Sequence, residues 1–277
     1  MRWRQERGIV ALALQVGPDA ECCVPAGNRG ERPGENGGVD VRAVLADVAG
    51  LGPFFAVGTD PAEAADPTWR PLRDLWADPR PLRDRIAHVR RALGGDGAVD
   101  DRVAASIAFQ GLAAGLLSAP FAAAVLHDVV PALTPDALHW RPAASGPLRL
   151  WCAEPAVLPV TELASTVLDG HLVPLVAAVR AQVGVSERVL WGNAASALAG
   201  AKRVLGTARP EAAAPAAQMA ERLLATGPLA GTGELLAPSA PDVAWTFRRR
   251  SCCLYYRVPA GGLCGDCVLQ GRPGRGR

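Results

Sequence analysis

The chain has 277 residues, of which 49% are apolar and only 5% aromatic, and its formal net charge is +2. That length buries a substantial core in one or two domains without disulfide staples, and seven cysteines, an odd number, do not make a disulfide framework. The near-neutral balance, with no nucleic-acid reading module and no basic stripe interleaved with aromatics, excludes nucleic acid as the expected partner.

Met1 to Val16 places Arg2, Arg4, Glu6 and Arg7 before the apolar run Ile9 to Leu14. The run is short for a secretory segment and no clean cleavage site follows, so it predicts a strand, and the cytoplasm is the expected compartment. Residues 17–38 are rich in Gly, Pro and charge and predict a loop. Cys22-Cys23 falls inside that loop as an incidental pair. A helix is expected from Val39 to about Val48, stopped by Gly50-Leu51-Gly52-Pro53, followed by a short strand Phe54 to Gly58. Residues 59–80 predict a surface connection anchored by Trp69 and Trp76, and Leu82 to Leu93 a helix.

Asp100 to Val130 is the longest apolar region and is long enough to raise a membrane span. Its Ala-rich content, the missing basic flank at one end and Pro120 favour two buried helices instead, 101–117 and 120–129. Gly111 and Gly115 are expected to allow close approach of helix backbones. Leu148 to Ala153 predicts a strand with Cys152 as a buried thiol. Helices follow from Thr161 to Val183, from Ser186 to Leu205 before Gly206, and from Pro215 to Leu224. After the Gly/Pro-rich stretch 227–241, strands are expected at Val243 to Phe247 and Leu254 to Val258, turned by Pro259 to Gly262. The fold class is α+β, predominantly helical with a small antiparallel sheet and a C-terminal cysteine-rich hairpin. The expected organisation is 1–98 as an N-terminal region, 99–240 as a mainly helical region, 241–270 as the cysteine segment and 271–277 as a tail.

The cysteine segment reads Cys252-Cys253, ten residues, then Cys264-Gly265-Asp266-Cys267. Four thiols so close in sequence can close round one metal centre, and thiolates select zinc or iron–sulfur clusters. Spacing alone leaves zinc, an iron–sulfur cluster and uncoordinated thiols open. Zinc sites usually use two separated knuckles, of which only one is present, and the familiar ferredoxin spacings do not fit. Neighbouring side chains on a strand point to opposite faces, so Cys252 and Cys253 can both ligate only where the backbone bends. Residues 241–277 hold seven Arg and two Asp. These arginines are either a solvated tail or the compensation for an anionic centre. His88, His127, His139 and His171 form no metal spacing or triad, and no GxGxxG run offers a dinucleotide site.

Arg249-Arg250-Ser251-Cys252-Cys253-Leu254-Tyr255-Tyr256 with the closing Cys264-Gly265-Asp266-Cys267, and Trp191-Gly192-Asn193 with Ser196 about sixty residues before them, resemble the FhuF family of ferric siderophore reductases. The resemblance covers about residues 100 to 270; the first hundred match nothing in it. It implies a [2Fe-2S] cluster held by Cys252, Cys253, Cys264 and Cys267, with no catalytic residue beyond it. It also implies one-electron, outer-sphere reduction of a ferric siderophore, of hydroxamate type, releasing Fe²⁺ in the cytoplasm. The electron then comes from an external donor such as ferredoxin or a flavin reductase, and the protein can associate with the inner membrane face. The rivals are a [2Fe-2S] carrier serving another redox partner and a zinc-stabilised, non-enzymatic binding module. Trp191, Asn193 and Ser196 either bond neighbouring backbone or surround the cysteine hairpin, while Arg248, Arg249, Arg250 and Arg257 are expected to help dock an acidic donor or an anionic chelate.

Overall fold

The computed structural model describes residues 39–94, 98–259 and 261–270. The expected strand at Ile9 to Leu14, the loop 17–38 with Cys22-Cys23 and the tail 271–277 lie outside them. Helix α1 (Val41–Ala49) starts where Asp40 accepts hydrogen bonds from the Arg42 and Ala43 amides, and it buries Val41, Val44, Leu45 and Val48. The expected strand at 54–58 does not form. Phe54 and Phe55 are both buried instead of alternating, a turn closes from the Phe55 amide to Gly52 O at 2.9 Å, and only a bridge between Gly58 and Trp151 remains.

The connection that follows holds β1 (Arg70–Pro71) and α2 (Asp74–Ala77). Trp69 anchors it by stacking on Trp151, with ring centroids 5.8 Å apart, and Trp76 packs against the core. Helix α3 (Pro79–Gly94) carries Pro79 and Pro81 in its first turn, where a missing N–H costs no intrahelical bond.

One helix, α4 (Asp101–His127), replaces the two expected there, with Pro120 in its interior. An interior proline removes a backbone hydrogen bond and costs roughly 3 kcal/mol. The surrounding core offsets this, because Ala119, Pro120, Phe121 and Ala122 are all buried. Both α4 and the stretch Val160–Gln182 are long and apolar enough to cross a membrane, but 72% of the α4 window is buried inside the fold, as in a core helix. Gly111 and Gly115 do not serve close packing: a Cβ at either would meet nothing within 4 Å.

Short strands follow: β2 (Val129–Pro131), β3 (His139–Arg141), β4 (Arg149–Trp151) and β5 (Val157–Pro159). They make an antiparallel sheet of order β1-β3-β4 and an antiparallel pair β2-β5. A π-helical segment (Ser165–Leu172) runs into α5 (Val173–Gln182), followed by α6 (Glu187–Ala208) and α7 (Ala213–Leu224). The Gly/Pro-rich stretch contributes an unexpected strand, β6 (Gly233–Leu236), which pairs antiparallel with β7 (Thr246–Arg249), Gly233 opposite Arg249. The strand expected at Leu254 to Val258 is a turn of 3₁₀ helix, Tyr255–Arg257, entered through Leu254 at φ 70°. The result is a predominantly helical α+β fold with small antiparallel sheets, and a single apolar core runs from Val41 to Cys267.

His171, on the π-helical segment, is 1% exposed, and burial pushes its pKa down to about 4. The unfolded chain binds this proton near pH 6.5 and the folded chain only near 4. Stability is therefore unaffected above pH 6.5 and falls as pH drops from 6.5 towards 4. The loss amounts to about 3 kcal/mol at roughly 1.4 kcal/mol per pH unit. Denaturant titrations of His171→Leu across that window should show a flatter stability profile than the parent; equal slopes would remove His171 as the cause.

Candidate metal centre

Strand β7 delivers the chain to Ser251-Cys252-Cys253, and the left-handed Leu254 then bends it sharply. That bend ends the extended geometry just past the two adjacent cysteines. Cys253, Cys264 and Cys267 are buried, and Cys252 is partly exposed. The Leu254 amide donates to Cys252 Sγ and the Leu269 amide to Cys267 Sγ, each at 3.4 Å, so each knuckle closes on itself by the same two-residue turn. Gly262, at φ 82°, helps return the chain between the knuckles.

The Cys252 and Cys253 thiols neighbour one another, and Cys264 neighbours Cys253. The neighbouring Cys253 thiol and then burial raise the Cys252 thiol. The Cys252 neighbour lowers Cys253, but Cys264 and burial prevail and push it up to about 11. Without metal these thiols hold their protons, so binding a metal there must release them.

Helix α6 approaches this loop so closely that a Cβ at Gly192 would overlap the Ser251 hydroxyl and sit 3.4 Å from Arg249 Nη2. One residue on, the buried Asn193 donates through Nδ2 to Ser106 O and Oγ, both at 2.8 Å, and its Oδ1 accepts from Arg249 Nη2. Ser106 in turn donates to Cys253 O at 2.8 Å. Ser196, on the same helix, donates to the Asp266 carboxylate inside the second knuckle, and the Arg249 amide donates to Asp266 O at 3.1 Å. Burial pushes the Asp266 carboxyl up, against the pull of Ser196, Arg203 and Arg249.

Asn193 thus bonds the Ser106 backbone and the Arg249 side chain, and Ser196 reaches the cysteine segment at Asp266. Trp191 does not join them through its polar atom, because its indole N–H donates to Glu187, one turn back on its own helix, at 3.2 Å. The arginines divide. Arg249 is no docking residue: it is 1% exposed, since the alternation of β7 turns it inward beside Phe247. Arg248 pairs with Glu234 at 2.7 Å and Arg250 reaches the same carboxylate at 3.5 Å. Arg257 is exposed and lies on the Tyr256 ring.

Sequence reasoning missed Ser106, Lys202 and Asp242. Lys202 Nζ is 2.7 Å from both Asp242 Oδ1 and Trp245 O and lies over the Trp245 ring, while Arg203 pairs with Asp242 Oδ2 at 2.7 Å. These contacts fix the chain just before β7. The usable signal was a lysine in the buried stripe of α6, beside Leu198, Ala201 and Leu205. Nothing in the Ala-rich sequence of α4 marks Ser106.

Arg249 Nε and Nη1 and Ser251 Oγ are buried without a partner among the described residues. Unpaired buried donors on a cation imply an anionic acceptor beside them. Arg249 also lowers the Cys252 and Cys253 thiols by its charge. A cluster held by four thiolates supplies both the acceptors and the opposing charge, so these residues fit it. Among the described residues no three His, Cys, Asp or Glu side chains gather to hold a single metal ion.

Gly192→Ala should displace Ser251 and cost about 1–3 kcal/mol by overpacking, with loss of bound metal at the cysteine loop. Gly184→Ala, where a Cβ meets nothing within 4 Å, is the control. Equal metal content and unfolding midpoints in the two variants would show that the contact is unimportant.

The family described as ferric iron reductase FhuF-like transporter matches residues 101–245, and the FhuF 2Fe-2S C-terminal domain matches residues 249–269, which contain all four cysteines of the loop. No curated protein matches the chain. Because the first of these matches spans more than half of the chain and the second covers the cysteine segment, the protein belongs to the FhuF-like ferric iron reductase family and carries a [2Fe-2S] cluster.

Proposed function

We propose that the protein reduces a ferric siderophore, of hydroxamate type, by one electron in the cytoplasm, and that Cys252, Cys253, Cys264 and Cys267 hold its cluster. The observation that carries this reading is the four-cysteine segment, matched by the FhuF 2Fe-2S C-terminal domain, in a chain of the ferric iron reductase family, with unpaired, buried Arg249 donors on the strand that leads into it. When bound, the cluster supplies reversible one-electron chemistry with no open coordination position. Fe³⁺ is the harder ion and oxygen-rich chelators hold it far more tightly than Fe²⁺, so one electron turns a tight complex into a labile one.

The chain's own residues set access. Cys253, Cys264 and Cys267 are buried and Cys252 is partly exposed, with exposed Tyr256, Arg257 and Leu263 on the same loop. A chelate or protein donor therefore docks at the Cys252 face. No dinucleotide fingerprint occurs in the sequence, so the electron arrives from a ferredoxin or from a flavin reductase.

Reduced protein mixed with a ferric hydroxamate and a ferrous trap should reoxidise as trapped Fe²⁺ appears, one electron per iron. Cys253→Ser, Cys264→Ser and Cys267→Ser should lose the cluster spectrum, and Cys152→Ser should keep it. A reduced protein that persists with hydroxamate, catecholate and citrate-type chelates, yet reoxidises with a redox protein, is an electron carrier instead.

Charge at this face should act on the encounter. Glu234 already offsets Arg248 and Arg250, which leaves Arg257 as the least compensated of the three outward-facing arginines. Arg250→Gln with Arg257→Gln should lower the second-order rate at low ionic strength and flatten its salt dependence. Matching salt profiles for parent and double variant would make these arginines a solvated face.

A further inference from the structure

Helices α3, α4 and α6 and the loop 144–146 enclose a mostly apolar cavity of about 350 Å³ that no step above uses. We propose that it binds a flat, redox-active ring with a carbonyl and an N–H or O–H on one edge, as the seat of a small-molecule electron donor; this rests on the reductase reading above.

The first observation is the space itself. A glycine in a helix interior costs about 1 kcal/mol relative to alanine. Gly111 lines the cavity, and Gly111 and Gly115 both line a separate small void beside Leu72 and Leu148. Neither is required by packing, since a Cβ at either would meet nothing within 4 Å. They keep room open in the middle of the most buried helix. The volume lies within the usual range of small-molecule sites, roughly 300–1,000 Å³.

The second observation is the chemistry of the walls. Gln110 is 7% exposed and its Oε1 has no partner, and Arg85 Nε is buried and likewise unpaired. Arg85 Nη2 donates to Gly146 O at 3.1 Å, and among the described residues no carboxylate pairs with it. The cavity thus offers one acceptor and one cationic donor amid Phe54, Phe55, Val89 and Ile107. A fatty-acid carboxylate satisfies Arg85 but sets lone pairs against Gln110 Oε1. A hydrocarbon satisfies neither, and a polar siderophore finds too few partners. The pyrimidine edge of an isoalloxazine, with alternating C=O and N–H, or a quinol with its hydroxyls, satisfies both. The uncompensated Arg85 favours a ring that becomes anionic when reduced.

The third observation is position. On α4, Ser106 bonds Cys253 O and Gln110 lies one turn on; on α6, Ser196 bonds Asp266 and Gly200, which lines the cavity, lies one turn on. Both helices therefore carry the cavity about 6 Å beyond their bonds to the cysteine segment. A two-electron-reduced ring bound there serves two ferric ions, one electron each, and returns to its oxidised form with release of one proton from an anionic flavin hydroquinone or two from a quinol.

The test is fluorescence titration of riboflavin with the oxidised, cluster-bearing full chain, with menadione, a naphthoquinone, as competitor. Saturable quenching is expected, weakened about tenfold or more in Gly111→Leu, which fills the cavity, and in Arg85→Met. Circular dichroism and iron and sulfide content verify that each variant is folded, and Arg85→Met carries the test should Gly111→Leu fail to fold. Binding of menadione alone supports the ring class and makes its source a quinone. Absence of saturable binding by either ring, or parental affinity in both variants, overturns the proposal. No iron chelate is present, so this outcome is independent of whether the protein reduces one.

Discussion

The contact between the buried Arg249 guanidinium and the Asn193 side chain joins every part of the protein that shapes the cysteine loop. Through it β7 is fastened to α6, and through Asn193 and Ser106 to α4 and to the Cys253 carbonyl. The Arg249 amide holds the second knuckle at Asp266. A buried cation is costly unless an opposing charge and full hydrogen bonding accompany it. Asn193 provides one neutral acceptor and leaves two donor atoms unpaired. An anionic group bound beside it would supply the missing partner, and folding of the C-terminal segment would then be coupled to its binding. The Lys202–Asp242 pair fixes the strand's approach from the other side, and it too lies in the core.

This arrangement separates two uses of positive charge that look identical in Arg248-Arg249-Arg250. The inward residue faces the thiols, while its two neighbours are offset by Glu234 on the paired strand. Buried positive charge before the cysteine segment and positive charge at the surface are therefore carried by different residues. The exposed edge at Cys252, with Arg257 and Tyr256, is left for recruitment.

Much of this was legible where the signal is local. The cysteine spacing and the Trp191-Gly192-Asn193 segment mark the family, and apolar periodicity marks α1, α3, α6 and α7. Non-local effects were not legible. Pro120 reads as a helix end, yet packing on all sides carries α4 through it. Strand β6 lies in a Gly/Pro-rich stretch and exists because β7 pairs with it. Leu254 sits among strand-forming residues, and its left-handed bend is imposed by the loop it serves. Burial of Arg249 was within reach: extending the strand from Phe247 by two residues puts both side chains on one face.

Three helical glycines show how one residue type answers opposite demands on the same helix pair. At Gly192 the missing side chain admits Ser251 and lets α6 lie against the cysteine loop. At Gly111 and Gly115 it admits nothing. Near the cysteines, α4 and α6 are locked by buried hydrogen bonds between Ser106 and Asn193, and a turn beyond, Gln110 and Gly200 line the cavity. A helix pair clamped at one end can hold a cavity open at the other without losing register. The polar clamp that seats the cysteine loop therefore also fixes how far that cavity lies from it.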